Sequence, residues 1–139
     1  MADTLVSPLH VEIITPDGPI YTKDGATMVV ARAVDGEFAV MKNHLPLAAA
    51  LTINPVRIKS AGGEEEIAVF GGFLEMKDNC VNIIAPLAEL ASTIDVARAE
   101  AARKRAEDRL ASKNADIDVE RAKLALQRAL TRLHVAGKL

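Results

Sequence analysis

The chain has no tryptophan, one tyrosine, three phenylalanines and a single cysteine in 139 residues. One cysteine excludes an internal disulfide, which suits a reducing compartment. Cys80 falls in a predicted strand with no basic neighbour and reads as a core thiol, not a nucleophile. No aromatic sits among the basic residues of the second half, so bases have nothing to stack on, and nucleic-acid binding is not expected. No uncharged run approaches the ~20 apolar residues of a spanning helix, so membrane association is expected only through a partner. Met1-Ala2-Asp3-Thr4-Leu5 lacks the basic start and apolar stretch of a signal peptide. There is no Gly-rich loop ending in Gly-Lys-Ser/Thr, hence no P-loop route to ATP hydrolysis. His10, His44 and His134 have no Cys, Asp or Glu at metal-ligand spacing, which argues against zinc. No nucleophile–base–orienter set is visible, which argues against an enzyme.

The scarcities are themselves unevenly spread. All six prolines, all four aromatics and seven of the eight glycines precede residue 87. Beyond it Ala, Arg, Leu and Glu dominate, and these are strong helix formers, whereas Pro and Gly punctuate strands and turns. Residues 1–90 carry 6 basic and 12 acidic side chains; residues 91–139 carry 11 and 7. A strand-rich acidic domain over 1–90 followed by a basic helical one over 91–139 is expected, and the tail calls for an acidic or phosphate-bearing partner.

In the first part, Leu9 to Thr15 alternates, with Val11, Ile13 and Thr15 on one face. Pro16-Asp17-Gly18 supplies turn chemistry. A short strand from Tyr21 ends at Asp24-Gly25, and Ala26 to Ala33 follows as the next. Asp35-Gly36 is a hairpin signal returning through Glu37 to Met41. Lys42-Asn43-His44 is a loop. Pro46 to Ile53, Pro55 to Lys59, Ile67 to Phe70, Phe73 to Met76 and Cys80 to Ala85 complete the set. Gly71-Gly72 lets the chain bend or another backbone approach closely. About nine short strands, with turns every 8–12 residues, predict a sandwich or flattened barrel.

In the second part, Asp95 caps a predicted helix from Val96 to Ala111, and Asp118 caps another running to about His134. The second has an apolar stripe of Ala122, Ala125, Leu126, Ala129, Leu130 and Leu133; the first offers Ala99, Ala102, Ala106 and Leu110. The short connection predicts an antiparallel hairpin, and alanine burial holds it weakly. Arg98, Arg105 and Arg109 form a stripe on the first helix, repeated by Arg121, Arg128 and Arg132 on the second. Two readings fit this spacing. One is a phosphate site, since planar guanidinium groups give paired hydrogen bonds to phosphate. The other is a solvated basic face.

Several segments, in order, resemble the epsilon subunit of bacterial F-type ATP synthases. They are Val11-Glu12-Ile13-Ile14-Thr15-Pro16-Asp17-Gly18, Asp35-Gly36-Glu37-Phe38, His44-Leu45-Pro46-Leu47 and Gly71-Gly72-Phe73-Leu74-Glu75. In the tail they are Ile94-Asp95-Val96-Ala97-Arg98-Ala99, Arg105-Ala106-Glu107 and Ala125-Leu126-Gln127-Arg128-Ala129. The resemblance runs from about Leu9 to Ala136. Where the family has Leu-Pro-Gly-His, this chain has Met41-Lys42-Asn43-His44; Asn can replace Gly at positive φ.

The resemblance implies an α+β protein, a β-sandwich of about ten strands and a C-terminal two-helix hairpin. It implies a non-catalytic rotor part in the central stalk, at the cytoplasmic side of the bacterial inner membrane. The sandwich would hold the gamma subunit and rest on the c-subunit ring, with Asp35, Glu37, His44 and Pro46 at these contacts. The tail would fold against the sandwich or extend towards the catalytic alpha and beta subunits. Extended, Arg103, Lys104, Arg109, Arg121 and Lys123 would meet acidic segments there and restrain ATP hydrolysis. No cofactor is required, but some members bind regulatory ATP on the folded hairpin. The matching positions here are Glu89, Asp95, Arg98, Arg105, Arg128 and Arg132. A free-standing nucleotide-sensing module is the alternative.

Overall fold

Strand β1 (Leu9–Thr15) buries Leu9, Val11, Ile13 and Thr15 and turns His10, Glu12 and Ile14 towards solvent. The structure, a computed structural model, describes residues 8–139; residues 1–7, and with them the signal-peptide reading, lie outside the described residues. After β1 come β2 (Gly18–Ala33), β3 (Gly36–Met41), β4 (Leu47–Ser60), β5 (Gly63–Lys77), β6 (Cys80–Ile84) and β7 (Ala88–Leu90). A 3-10 turn at Ala91–Thr93 leads into helices α1 (Val96–Ala111) and α2 (Val119–Val135). The protein is α+β.

The strands pair in the order β1-β6-β5-β4-β2-β3, and β1 also pairs with β2, closing the circuit of a flattened barrel. β7 adds to β5. The pairing of β1 with β6 is parallel, and the other ladders are antiparallel.

The strand count expected above is too high, because seven strands are present among the described residues. Residues that read as strand ends are bends within long strands. Gly25 lies inside β2 at φ +84°, and Pro55 lies inside β4 opposite Ala68. β5 runs through Gly71 and Gly72, at φ +86° and +99°. Before this bend β5 pairs with β7, and after it with β6, while β4 accompanies it on both sides. A bent strand can thus serve both layers of a sandwich. At Gly72 a Cβ would lie 2.2 Å from the Ile84 carbonyl oxygen, so this glycine also permits close backbone approach.

The core is built from the inward rows of these strands, including Leu9, Ile13, Val29, Val40, Ile58, Ile67, Leu74, Met76 and Ile83. No helical residue belongs to it. A smaller cluster joins Ala68 and Phe70 of β5 to Val135 of α2, with Ile53 and Ile94 packed against it. Cys80 is exposed at the start of β6, which corrects the core-thiol reading: the inward positions of that strand are Val81 and Ile83.

The departure at Met41-Lys42-Asn43-His44 is accommodated. Asn43 adopts φ +64°, and its N–H donates to Asn79 Oδ1 at 2.6 Å. Asn79 Nδ2 donates back to Asn43 Oδ1 at 3.3 Å, so the β5–β6 turn braces this loop.

Candidate functional site

The hairpin begins where the sequence places its caps. Asp95 accepts from the Arg98 N–H and Asp118 from the Arg121 N–H, each at 3.1 Å. Each carboxylate satisfies a backbone donor that a helix start leaves unpaired. The helices then pack along small residues: α1 buries only Ala99 and Ala106, whereas α2 buries Ala122, Ala129, Thr131, Leu133 and Val135. α2 lies against β4 and β5, and α1 packs on α2.

Four polar side chains of α2 meet the sandwich. Gln127 Nε2 donates to the Ile53 carbonyl at 3.0 Å and lies 3.5 Å from Asn54 Oδ1, while Thr131 Oγ1 donates within α2 to the Gln127 carbonyl at 2.8 Å and stands 3.4 Å from the Ile53 oxygen. Arg132 Nε and Nη2 donate to the two oxygens of Glu89 at 2.8 and 3.1 Å. His134 Nε2 lies 3.3 Å from Glu66 Oε2, an ion pair when the ring is protonated. Gln127 and Thr131 were given no contact role by the sequence reading. Their only signal was that polar groups on the flank of the α2 stripe need partners when the helix docks.

A cleft of about 420 Å³ opens where the sandwich, the connecting turn and both helices meet. It is lined by Glu89, Thr93, Asp95, Arg98, Ala99, Ala102, Arg105 and Arg132. Five of the six positions drawn from the resemblance therefore come together. Arg128, half-buried on α2, does not line the cleft. Three guanidinium groups face two carboxylates there. Glu89 is committed to Arg132, and Asp95 caps α1. Arg98 and Arg105 have no ion pair among the described residues, so the cleft offers cationic forks to an anion.

The other predicted residues are dispersed. Arg109 and Arg121 line a second, 300 Å³ cleft at the hairpin tip, with Asp116 and Asp118 beside them. Arg103 pairs with Glu107 and Lys123 with Glu120, each at 3.6 Å, and Lys104 is exposed. Asp35 and His44 line an apolar groove with Val34, Phe38 and Leu47, and Pro46 is exposed beside it. Glu37 instead accepts from Arg57 Nη2 at 3.4 Å.

Residues 8–91 match the family described as ATP synthase, Delta/Epsilon chain, beta-sandwich domain, and residues 92–137 match the long alpha-helix domain of the same chain. The chain belongs to this family. An ATP synthase epsilon chain of Alkalihalophilus pseudofirmus is 49% identical over 134 residues, spanning 96% of this chain and 100% of that one. One from Bacillus subtilis is 52% identical over 130 residues, spanning 94% and 98%. Membership makes the protein a non-catalytic subunit of ATP synthase.

Among solved structures, a chain of the Euglena gracilis mitochondrial ATP synthase superposes with a TM-score of 0.77 at 20% identity, covering 94% of this chain and 81% of that one. A chain of the Tetrahymena thermophila mitochondrial ATP synthase, from a central stalk and c-ring structure, gives 0.53 at 16%, covering 94% of each. At these identities the likeness is one of fold. Among the described residues no helix is long and apolar enough to cross a membrane.

Proposed function

We propose that this chain is a rotor subunit of the central stalk, that its sandwich couples the gamma subunit to the c ring, and that its hairpin is a regulatory arm sensing ATP. The complex would hold it peripherally at the cytoplasmic face of the bacterial inner membrane. The observation that carries the regulatory part is the junction cleft. Its walls come from the sandwich, α1 and α2 together, so a ligand there favours the folded arrangement over an extended one. Arg98 and Arg105 would take phosphate oxygens, with Asp95 available to the nucleoside. Released, the arm would present Lys104, Arg109 and Arg121 to acidic segments of the catalytic alpha and beta subunits and restrain hydrolysis.

The coupling part draws on the sandwich surface. Ala50, Phe73, Ile84 and Ile14 are register neighbours across β4, β5, β6 and β1. Phe73 is 59% and Ile84 48% exposed, so the row offers an apolar strip to a subunit partner. The Asp35–His44 end is assigned to the ring.

Calorimetry of the full chain with ATP tests the sensor. Heat that disappears in Arg98→Ala supports it; a folded wild-type chain giving no heat at millimolar ATP removes it. Pull-down from membranes tests the placement, because a stalk subunit travels with gamma and a free-standing sensor does not.

A further inference from the structure

Arg132 is the one residue of α2 that lines the junction cleft, and it also ties α2 to the sandwich. Its two hydrogen bonds to Glu89 form a bidentate fork, and both side chains are 25% exposed. Its guanidinium carbon stands 4.6 Å from the centre of the Phe70 ring. Phe70 is 6% exposed and packs in the small cluster with Ala68 and Val135 of α2. The cation is thus held by a carboxylate and set over an aromatic ring, both supplied by the sandwich. Such partly desolvated, bidentate geometry is the strong kind of ion pair. The other fasteners are weaker: Gln127 and Thr131 make neutral hydrogen bonds, and His134 is half-exposed and depends on its proton.

The geometry points to Glu89 and Phe70 as a latch that docks α2 through Arg132 without a ligand, and to Arg132 as the residue coupling that latch to the cleft. Glu89 then acts as a positioning residue for Arg132. Two of the guanidinium's N–H donors are spent on Glu89, and the others remain for an anion in the cleft. An anion held there meets a cation already in place, so docking raises anion affinity. By linkage the anion raises docking by the same factor. This coupling to ATP rests on the reading given above; the latch does not.

Hydrogen-exchange protection of the α2 backbone amides in the full chain, without nucleotide, tests the latch. Glu89→Gln and Arg132→Lys should each lower protection about tenfold, as expected for loss of a charge-assisted bidentate pair. Together they should cost little more than either alone, since each removes the same contact. Lys113→Gln, in the exposed interhelix loop, should change nothing. Added salt should lower protection in the wild type more than in Glu89→Gln, an effect that a purely steric role would not show. Phe70→Leu should give a smaller loss; if it unsettles the sandwich, the surface variant Glu89→Gln still decides. Wild-type protection in both Glu89→Gln and Arg132→Lys would overturn the latch. Calorimetry separates the two ideas. Where ATP gives heat, saturating ATP should also raise α2 protection in the wild type, and protection unchanged by bound ATP would overturn the coupling. No ATP heat in the wild type, with protection still lost in Glu89→Gln, would uphold the latch and sink the sensor.

Discussion

Single residues carry the bends that let a few long strands close a barrel. Gly71 and Gly72 share a positive φ, but only at Gly72 does another backbone block a side chain. At Gly71 the nearest atom to an added Cβ is 3.9 Å away. Gly71→Ala should therefore cost only the conformational term, about 1–2 kcal/mol. Gly72→Ala must also displace the Ile84 carbonyl and should cost ~3 kcal/mol or more. Urea denaturation of the two variants checks this, and equal losses would contradict it. Tyr21 marks another residue-scale effect. Burial, then the charge of Glu65 and the hydrogen bond to it, push the Tyr21 phenol well above its ordinary value. The folded chain keeps this proton at a pH where the unfolded chain releases it, near 10. Its contribution to stability is full below about 10 and falls as pH rises past that point. Tyr21→Phe should flatten the alkaline limb of a denaturation series; an unchanged limb would assign the loss to other groups.

At the scale of elements, the helices differ in what they bury. α1 contributes two alanines to the interior, whereas α2 contributes five residues and makes the hydrogen bonds to the sheet. Burying alanine yields little, so α1 depends on α2, and α2 depends on its flank of polar contacts. Asp118→Ala removes the α2 cap and should cost about 1 kcal/mol. Read by hydrogen exchange, the loss should appear in both helices, because α1 has little else to hold it. A loss confined to the first turn of α2 would show that the helices open independently. The caps and the alanine stripes were legible because they depend on residues within one or two turns. Asp95 and Asp118 open helices at Val96 and Val119, as their position before an Ala-rich run requires.

At the scale of the molecule, the main core contains no helical residue, while the hairpin docks over the small Ala68–Phe70–Val135 cluster. The sandwich should therefore fold when cut after residue 90. Exposing the Ala68–Phe70 surface should cost it about 1–3 kcal/mol. In membranes reconstituted with this fragment, proton-driven ATP synthesis should persist while regulation of hydrolysis is lost. Loss of synthesis with a folded fragment would show that the hairpin takes part in coupling.

Neighbours along the chain set the two helices and their caps, the Asp35-Gly36 hairpin and the alternation of β1, and these were readable in the residues themselves. Tertiary pairing made Gly25, Pro55 and Gly71-Gly72 bend strands without ending them, because partners on both flanks outweigh a local breaker. It alone added β7 and left Cys80 outside the core. The arginine spacing fitted both a phosphate site and a solvated face, since a stripe on one helix says nothing of what faces it. Docking gathered Arg98, Arg105 and Arg132 into one cleft and left Arg128 out. Glu89 and Arg132 are 43 positions apart, and Ile53 and Gln127 are 74 apart. Partners at such separations are chosen by how the elements pack, and no local pattern records that choice.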